Sequence, residues 1–558
     1  MARRRKKKTR AQLRLIPLGG VGEIGKNMMV VEFGDEMIVI DTGLMFPQEE
    51  MLGIDLVLPN FSYLKKHSDK LKAIVLTHGH EDHTGALPYV LKEVQAPVFG
   101  TKLTLGLVRN KLEDYGLKGD LRVVQAGDKL SFKHFRVEFI QVCHSIPDGV
   151  GLAIHTPHGL IVHSGDFKLD RSPIDGRPTN INKFAALGRK KVLALLSDST
   201  NAEQRGATRE ERAVGKVLKD IFLESRGKVV VASFASHIHR IQQVINTARD
   251  TGRNVVVTGR SMLDNVKVAS ELGYLKVPDG LILDVYGLKS HNPKKLAVLC
   301  TGSQGEPLSA LARMASHDHR WIKIKPGDTV IISAKAVPGN ESTVYRTINQ
   351  LYKCGAEVYH HGISDVHASG HATRDELKLL LESVKPKYFV PIHGEFRHQK
   401  HHADIAVEVG VPRKNVFMLE NGEVVEFNGD SARRAGEVEA GVVYVDGLGV
   451  GDIQDIVLRD RQLLSKDGIF IVVLTINEQT GELTQEPDVI SRGVVYVRAS
   501  SELIEQVKKN IKKVLRKTAK EKITDWGVLK YEVRNSLSKF IYGKLQRRPM
   551  IIPIIVEI

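Results

Sequence analysis

Residues 77–85 read Thr-His-Gly-His-Glu-Asp-His-Thr-Gly and carry His78, His80, Glu81, Asp82 and His83. They follow the apolar run Ala73–Leu76 and precede a helix-like run, Ala86–Val94, so they occupy a strand-to-helix turn. An extended His-x-His places His78 and His80 on the same side of the chain. The tighter turn after them aims Asp82 and His83 at a neighbouring point. Imidazole nitrogen and carboxylate oxygen are ligands that zinc accepts at ~2.0–2.2 Å. A lone histidine is usually structural; three within six positions, behind a buried strand, point to metal. A chain with this turn must fold so that distant segments complete the coordination.

The surrounding pattern supplies such a fold. From Leu13 to about Ser199, short β runs alternate with Gly, Pro and Asp turns: Met37–Ile40, Ala73–Thr77, Val137–Cys143, Leu160–His163 and Val192–Leu196. Apolar or β-branched runs bounded by turn signals read as buried strands. From about Asn201 to Ala368 the rhythm becomes strand–helix alternation, which argues for a parallel sheet. Its strands are Val229–Ala232, Val255–Thr258, Leu296–Cys300 and Val330–Ser333, with helices near 237–249, 308–315 and 341–352. Residues 373–427 return to a helix, the strand Tyr388–Val390, another helix and a final β pair. A Gly- and charge-rich stretch from Asn428 to about Asp452 marks a linker, and a small α/β unit closes the chain. In that unit Leu503, Ile504, Val507, Ile511, Val514 and Leu515 share one helix face. Lys508, Lys509, Lys512, Lys513, Arg516 and Lys517 fill the other, as a solvated face or an RNA-facing stripe.

Several ligand candidates sit at strand ends. His144 follows Val137–Cys143, Asp166 follows Leu160–His163, and His393 follows Tyr388–Val390. Asp41 ends an earlier strand and suits a role in orienting a ligand histidine. The net charge of +16 over 558 residues favours a polyanionic partner. Three cysteines, Cys143, Cys300 and Cys354, make no disulfide framework, which fits a reducing cytoplasm. No stretch approaches a transmembrane span. Met1–Arg10 holds seven basic residues and no apolar continuation, so it reads as a disordered basic arm rather than a secretory signal.

Taken together, these ligands resemble those of the metallo-β-lactamase superfamily. The resemblance implies an α/β chain: an αββα sandwich with an inserted domain and a small C-terminal α/β domain. It further implies that His78, His80 and His144 hold one metal, that Asp82, His83 and His393 hold the other, and that Asp166 bridges them. Two Zn²⁺, with Mn²⁺ as an alternative, would supply an ionised water and stabilise charge on phosphate oxygens. A structural Ca²⁺ is a further expectation of the likeness.

The insertion between Asp166 and His393 resembles the β-CASP domain of nucleic-acid-processing members. Asp198, in Leu196-Ser197-Asp198-Ser199-Thr200-Asn201, matches its acidic first motif; His371, in His367-Ala368-Ser369-Gly370-His371-Ala372, matches the second; His393 matches the third. Within that group the chain is similar to bacterial ribonuclease J from about Leu13 onward. The marks are the start Ile16–Asn27, Thr301–Pro307 and Pro338–Glu341. This likeness implies the divisions 1–12 (basic arm), 13–205 and 373–430 (metallo-β-lactamase), 206–372 (β-CASP), 431–465 (linker) and 466–558 (C-terminal domain). It implies 5′→3′ exonuclease and endonuclease action on single-stranded RNA, preference for a 5′-monophosphate, and RNA maturation and decay as the setting. Asp82, Asp198 and His371 would be catalytic. Ser233, His367, Ala368, Ser369, Gly370 and His371 would bind substrate. A homodimer or homotetramer, ribosome or RNA-degradation partners and no membrane association complete the expectation.

Two features depart from it: Ser333-Ala334-Lys335-Ala336-Val337 is poor in serine, and His237 stands where an amide is expected. Helix capping is the plain alternative for Ser233 and Ser236. Three rivals remain at this level: a thioesterase or lactonase of the same fold, a DNA-repair nuclease, and an RNA-binding scaffold with an inactive site.

Overall fold

A computed structural model describes residues 12–48, 50–337, 339–429, 431–494 and 500–558. The basic arm and Pro338 of the Pro-Gly-Asn-Glu mark lie outside the described residues, apart from Gln12 at the arm's end. The chain forms two compact units: Met1–Gln48 with Leu56–Val443, and Glu49–Asp55 with Tyr444–Ile558.

The first unit is built on two facing sheets. One has eight strands and holds, side by side, Glu423–Asn428, Leu13–Gly19, Met28–Phe33, Glu36–Ile40 and Leu71–Val75. The other has six and includes Tyr388–Ile392, Val192–Asp198, Gly159–His163, Val150–Thr156 and Arg136–Gln141. The apolar runs of the sequence are buried on both faces, as such runs require. Leu15, Val31, Ile40 and Val75 meet Phe139, Leu152, Leu196 and Val390 between the sheets. Val39 and Ile74 face the helices Leu87–Glu93 and Lys102–Asp114 on one outer side. Val162 and Leu195 face Ile181–Gly188, Arg374–Val384 and Phe396–Glu408 on the other.

The inserted segment carries a six-stranded sheet, parallel throughout, in the order Ile282–Leu283, Asn254–Thr258, Leu296–Cys300, Val229–Ala232, Thr329–Ile332, Glu357–His360. Helices cover both faces, as parallel sheets need. A buried charged network ties this insert to the loop after Asp166. Glu211 accepts from the Arg240 guanidinium, Lys168 reaches it at 3.3 Å, and its own N–H donates to Asp170 at 2.9 Å. Arg240, 0% exposed, also donates to Ser333 and, at 2.7 Å, to the carbonyl of Val366.

The second unit has a three-stranded sheet, Asp488–Arg492, Ile469–Ile476 and Met550–Glu557, under the helices Ser500–Lys520 and Trp526–Leu545. Alternate residues Phe470, Val472, Leu474 and Ile476 point into its core with Val507, Ile511, Leu515 and Leu537.

Three local expectations are corrected. The stretch expected as linker is not bare: Ser431–Glu437 pairs antiparallel with Glu423–Asn428, and Asp455–Asp467 is a helix. Ser431–Glu437 is largely exposed, so it has no buried face to leave an alternating apolar pattern. The helix expected from Leu308 begins at Ala310, capped by Ser309, and Leu308 is exposed. The helix after Val229–Ala232 is capped by His237, whose Nδ1 accepts from the N–H of Arg240 at 3.2 Å, rather than by Ser233 or Ser236. Among the described residues no helix is long and apolar enough to cross a membrane.

Candidate metal centre

The proposed ligands lie at the C-terminal ends of neighbouring strands, where α/β folds gather functional groups. Asp41 follows Glu36–Ile40; His78, His80, Asp82 and His83 follow Leu71–Val75; Asp166 follows Gly159–His163; Asp198 ends Val192–Asp198; His393 follows Tyr388–Ile392. The backbone departs from ordinary conformations to bring them in. Asp41 (φ +61°) and His393 (φ +51°) are left-handed, a strain that side-chain-bearing residues rarely adopt without a fixed contact to hold it.

Among the described residues two groups of donors gather the expected ligands, His78, His80 and His144, and Asp82, His83, Asp166 and His393, and a third, Asp166, Asp198, His371 and His393, overlaps the second, each with ligand atoms within 4.8 Å of one another. In the first group Nε2 of His78 and Nε2 of His144 stand 3.0 and 3.1 Å from Nδ1 of His80. The opposite nitrogens are engaged outward. Nδ1 of His144 donates to the Gly370 carbonyl at 2.7 Å. Nδ1 of His78 is 3.1 Å from Thr77 Oγ1, whose proton goes to Asp41. Nε2 of His80 is 3.3 Å from Ser145 Oγ. Three lone pairs therefore converge on one point. Burial, joined by neighbouring histidines, holds His78 and His144 well below the ordinary imidazole value. Burial lowers His80 to about 4. Lone pairs facing one another at this distance repel unless a proton or a metal cation sits between them. A tetrahedral ion with ~2.0–2.1 Å bonds would set its nitrogens about 3.3 Å apart.

In the second group Nε2 of His83 lies 3.1 Å from Asp166 Oδ2 and 3.5 Å from Asp82 Oδ2. Nε2 of His393 lies 3.1 Å from Asp82 Oδ2 and 3.5 Å from Asp166 Oδ2. Burial disfavours charge on both histidines, but the carboxylates outweigh it and raise both well above the usual imidazole value. A divalent ion would meet here two nitrogens and two carboxylate oxygens in place of those protons. Oδ2 of Asp166 also lies 3.9 Å from His78 Nε2, so it faces both groups. The donor set fits two divalent cations.

Their supports were only partly visible in the sequence. Asp41 accepts from His83 Nδ1 at 2.8 Å and from the Thr77 N–H at 2.7 Å. Thr200 Oγ1, 2.6 Å from His393 Nδ1, donates to Asp198 at 2.8 Å. Asn27 Nδ2 donates to the Asp82 carbonyl at 3.0 Å and so holds the turn that carries Asp82 and His83. Thr77, Thr200 and Asn27 stand inside recognised runs, but nothing in their spacing marks them as supports. We expect Thr200→Val, which removes this hydroxyl at constant volume, to weaken metal binding about 10–100-fold. Titration of the apoprotein with Zn²⁺ checks this; unchanged affinity would remove Thr200 from the support of His393.

The residues expected to meet substrate divide. His371 Nδ1 donates to Asp198 Oδ2 at 2.8 Å, stands 3.9 Å from Asp166 Oδ2, and stacks on His393 with centroids 5.3 Å apart. Burial opposes a proton on His371, while Asp198 and Asp166 raise its pKa above the usual value. Burial works against ionised Asp198, but His371 and His393 hold it well below the usual carboxylate range. Ser369 Oγ accepts from Asn201 Nδ2 at 2.7 Å and from the His371 N–H at 3.2 Å, which leaves its proton to donate. The Gly370 carbonyl is taken by His144, and a Cβ there would stand 2.6 Å from that ring. Ala368 is a core residue of the inserted sheet. His367 is driven to about 3 by burial, and its Nδ1 has no hydrogen-bond partner among the described residues. Ser233 is buried, its hydroxyl 3.3 Å from the Phe234 carbonyl; no described hydrogen bond joins it to residues 369–371.

Comparison with known proteins finds matches along most of the chain. Family models match for the metallo-beta-lactamase superfamily (residues 21–216), the ribonuclease J beta-CASP domain (226–351), the Zn-dependent metallo-hydrolase RNA specificity domain (355–419) and the ribonuclease J C-terminal domain (456–558). The chain is 45% identical to ribonuclease J2 of Bacillus subtilis, covering 99% of this chain and 100% of that protein. It is 43% identical to ribonuclease J 1 of Streptococcus pyogenes, covering 97% and 96%. A crystal structure of a protein of unknown function from Enterococcus faecalis shares the fold, with TM-score 0.53 and 15% identity over 75% of this chain and 100% of that one.

Proposed function

The chain belongs to the ribonuclease J family, and on that footing we propose that it degrades and matures single-stranded RNA as a two-zinc hydrolase, working 5′→3′ from 5′-monophosphate ends and also cutting internally. The observation that carries the reading is the meeting of both donor groups at Asp166, with the His371–Asp198 pair alongside.

In this proposal His78, His80 and His144 hold one cation, Asp82, His83 and His393 the other, and Asp166 both. When bound, the pair supplies Lewis acidity and an ionised water at neutral pH. The chain's own groups do the rest. Asp41, Thr200 and the Gly370 carbonyl fix the orientation of ligand rings. Asp198 fixes the imidazole of His371 through Nδ1, so that Nε2 is the nitrogen left to meet a phosphate oxygen. The Ser369 hydroxyl, with both lone pairs engaged, donates to the 5′-phosphate. Ser233 reaches that phosphate only if its hydroxyl leaves the Phe234 carbonyl. The chain acts in the cytoplasm as a homodimer or homotetramer, with Mn²⁺ able to stand in for Zn²⁺.

A single-stranded RNA labelled at its 3′ end and carrying a 5′-monophosphate, 5′-triphosphate or 5′-hydroxyl tests this. We expect EDTA-sensitive shortening from the 5′ end, fastest with the monophosphate. Equal rates on all three ends would refute the phosphate pocket. Cleavage undiminished after EDTA and dialysis would refute the metal centre.

A further inference from the structure

In the C-terminal unit the helix Ser500–Lys520 buries Leu503, Val507, Ile511 and Leu515 against the three-stranded sheet. Its outward face is cationic: Lys509, Lys512, Lys513, Arg516, Lys517 and Lys520 lie together on it. Two of the six are neutralised locally, Lys512 by Glu486 and Lys517 by Glu521 at 3.8 Å. Lys509, Lys513, Arg516 and Lys520 are exposed and have no ion-pair partner among the described residues.

The placement of those four is informative. At 100° per residue they fall within about 60° of arc, opposite the buried row. Their steps of four, three and four residues rise by about 6, 4.5 and 6 Å along the axis. A solvated face kept for solubility usually mixes signs and pairs them at i, i+4; this row does neither. Four unpaired cations in a line, a few ångströms apart, match the succession of phosphates on an extended single strand.

We propose that Lys509, Lys513, Arg516 and Lys520 form a phosphate track that binds single-stranded RNA through its backbone, independently of base sequence. The inference rests on the nuclease reading, because the polyanion chosen is the substrate of that reaction. The track adds affinity for long strands and takes no part in hydrolysis at the metal centre.

The test measures binding of the full chain to a single-stranded RNA of about 25 nucleotides as a function of salt, with EDTA present. Binding is then read whether or not the protein cuts RNA, which separates failure of the track from failure of the nuclease reading. Each phosphate neutralised on a single strand contributes about −0.7 to the slope of log K against log salt. Combined Lys509→Gln, Lys513→Gln, Arg516→Gln and Lys520→Gln replacement should flatten the slope by about 2 to 3. Lys512→Gln with Lys517→Gln, which removes the locally neutralised pair, should change it by less than about 1. Hydrolysis of a tetranucleotide should remain within twofold of the parent in both variants. An unchanged slope in the fourfold variant would overturn the track. So would loss of binding to phosphatidylserine vesicles with the RNA slope intact, which would assign the stripe to a lipid surface.

Discussion

Asp166→Ala should lower RNA hydrolysis by about 10³-fold or more, since the charge stabilisation organised by such a centre is worth several kcal/mol. RNA affinity should stay within a few-fold. The expectation rests on one oxygen. Oδ2 of Asp166 lies 3.1, 3.5, 3.9 and 3.9 Å from His83, His393, His78 and His371. Among the described residues Asp166 belongs both to the group with Asp82, His83 and His393 and to the overlapping one with Asp198, His371 and His393. The turn that aims it is equally constrained: Gly165 is left-handed (φ +60°), and a Cβ there would stand 2.6 Å from the Val150 carbonyl. Single-turnover cleavage together with measured metal content distinguishes the possibilities. Activity within tenfold of the parent, with two metals still bound, would show that the bridge is dispensable.

Arg240→Met should destabilise the first unit by about 3–5 kcal/mol, the usual result of removing one member of a buried ion pair. Glu211, 2% exposed, would keep Lys168 at 3.3 Å and His237 Nε2 at 3.7 Å but lose its guanidinium, and the Val366 carbonyl and Ser333 hydroxyl would lose a donor. Burial pushes the Glu211 carboxyl up, but Arg240, His237 and Lys168 hold it well below its usual value, so it enters the core ionised. The double variant Arg240→Met, Glu211→Gln should recover part of the loss, because it no longer strands a charge. Denaturant unfolding of the three proteins checks this. Additive losses would mean that the two side chains stabilise the fold separately.

The candidate ligands were legible because they follow apolar runs that announce themselves as strands. His144, Asp166 and His393 each stand just past such a run, and the His-x-His-x-Asp-His turn needs no partner to be noticed. What escaped acts through backbone or register. The Gly370 carbonyl serves His144 across 226 residues, and no side chain marks it. Thr200 reaches His393 because Val192–Asp198 and Tyr388–Ile392 run in parallel register. Ser233, nominated for its place before a helix, is buried with its hydroxyl turned to its neighbour's carbonyl, while the less obvious His237 does the capping. The strand Ser431–Glu437 was hidden because an exposed edge strand leaves no apolar alternation.

The order of the ligands along the chain has a consequence for when the centre can exist. Its last candidate ligand, His393, meets Asp82 across 311 residues, and one of the two strands beside Leu13–Gly19 is Glu423–Asn428. Contacts this distant form late, since the intervening chain must be made and its ends brought together first. A polypeptide emerging from its N-terminus therefore displays the donors from His78 to Asp166 long before His393 can close around them. Through most of its own translation the nascent chain is an incomplete nuclease, held beside the message that encodes it with the cutting centre still unassembled.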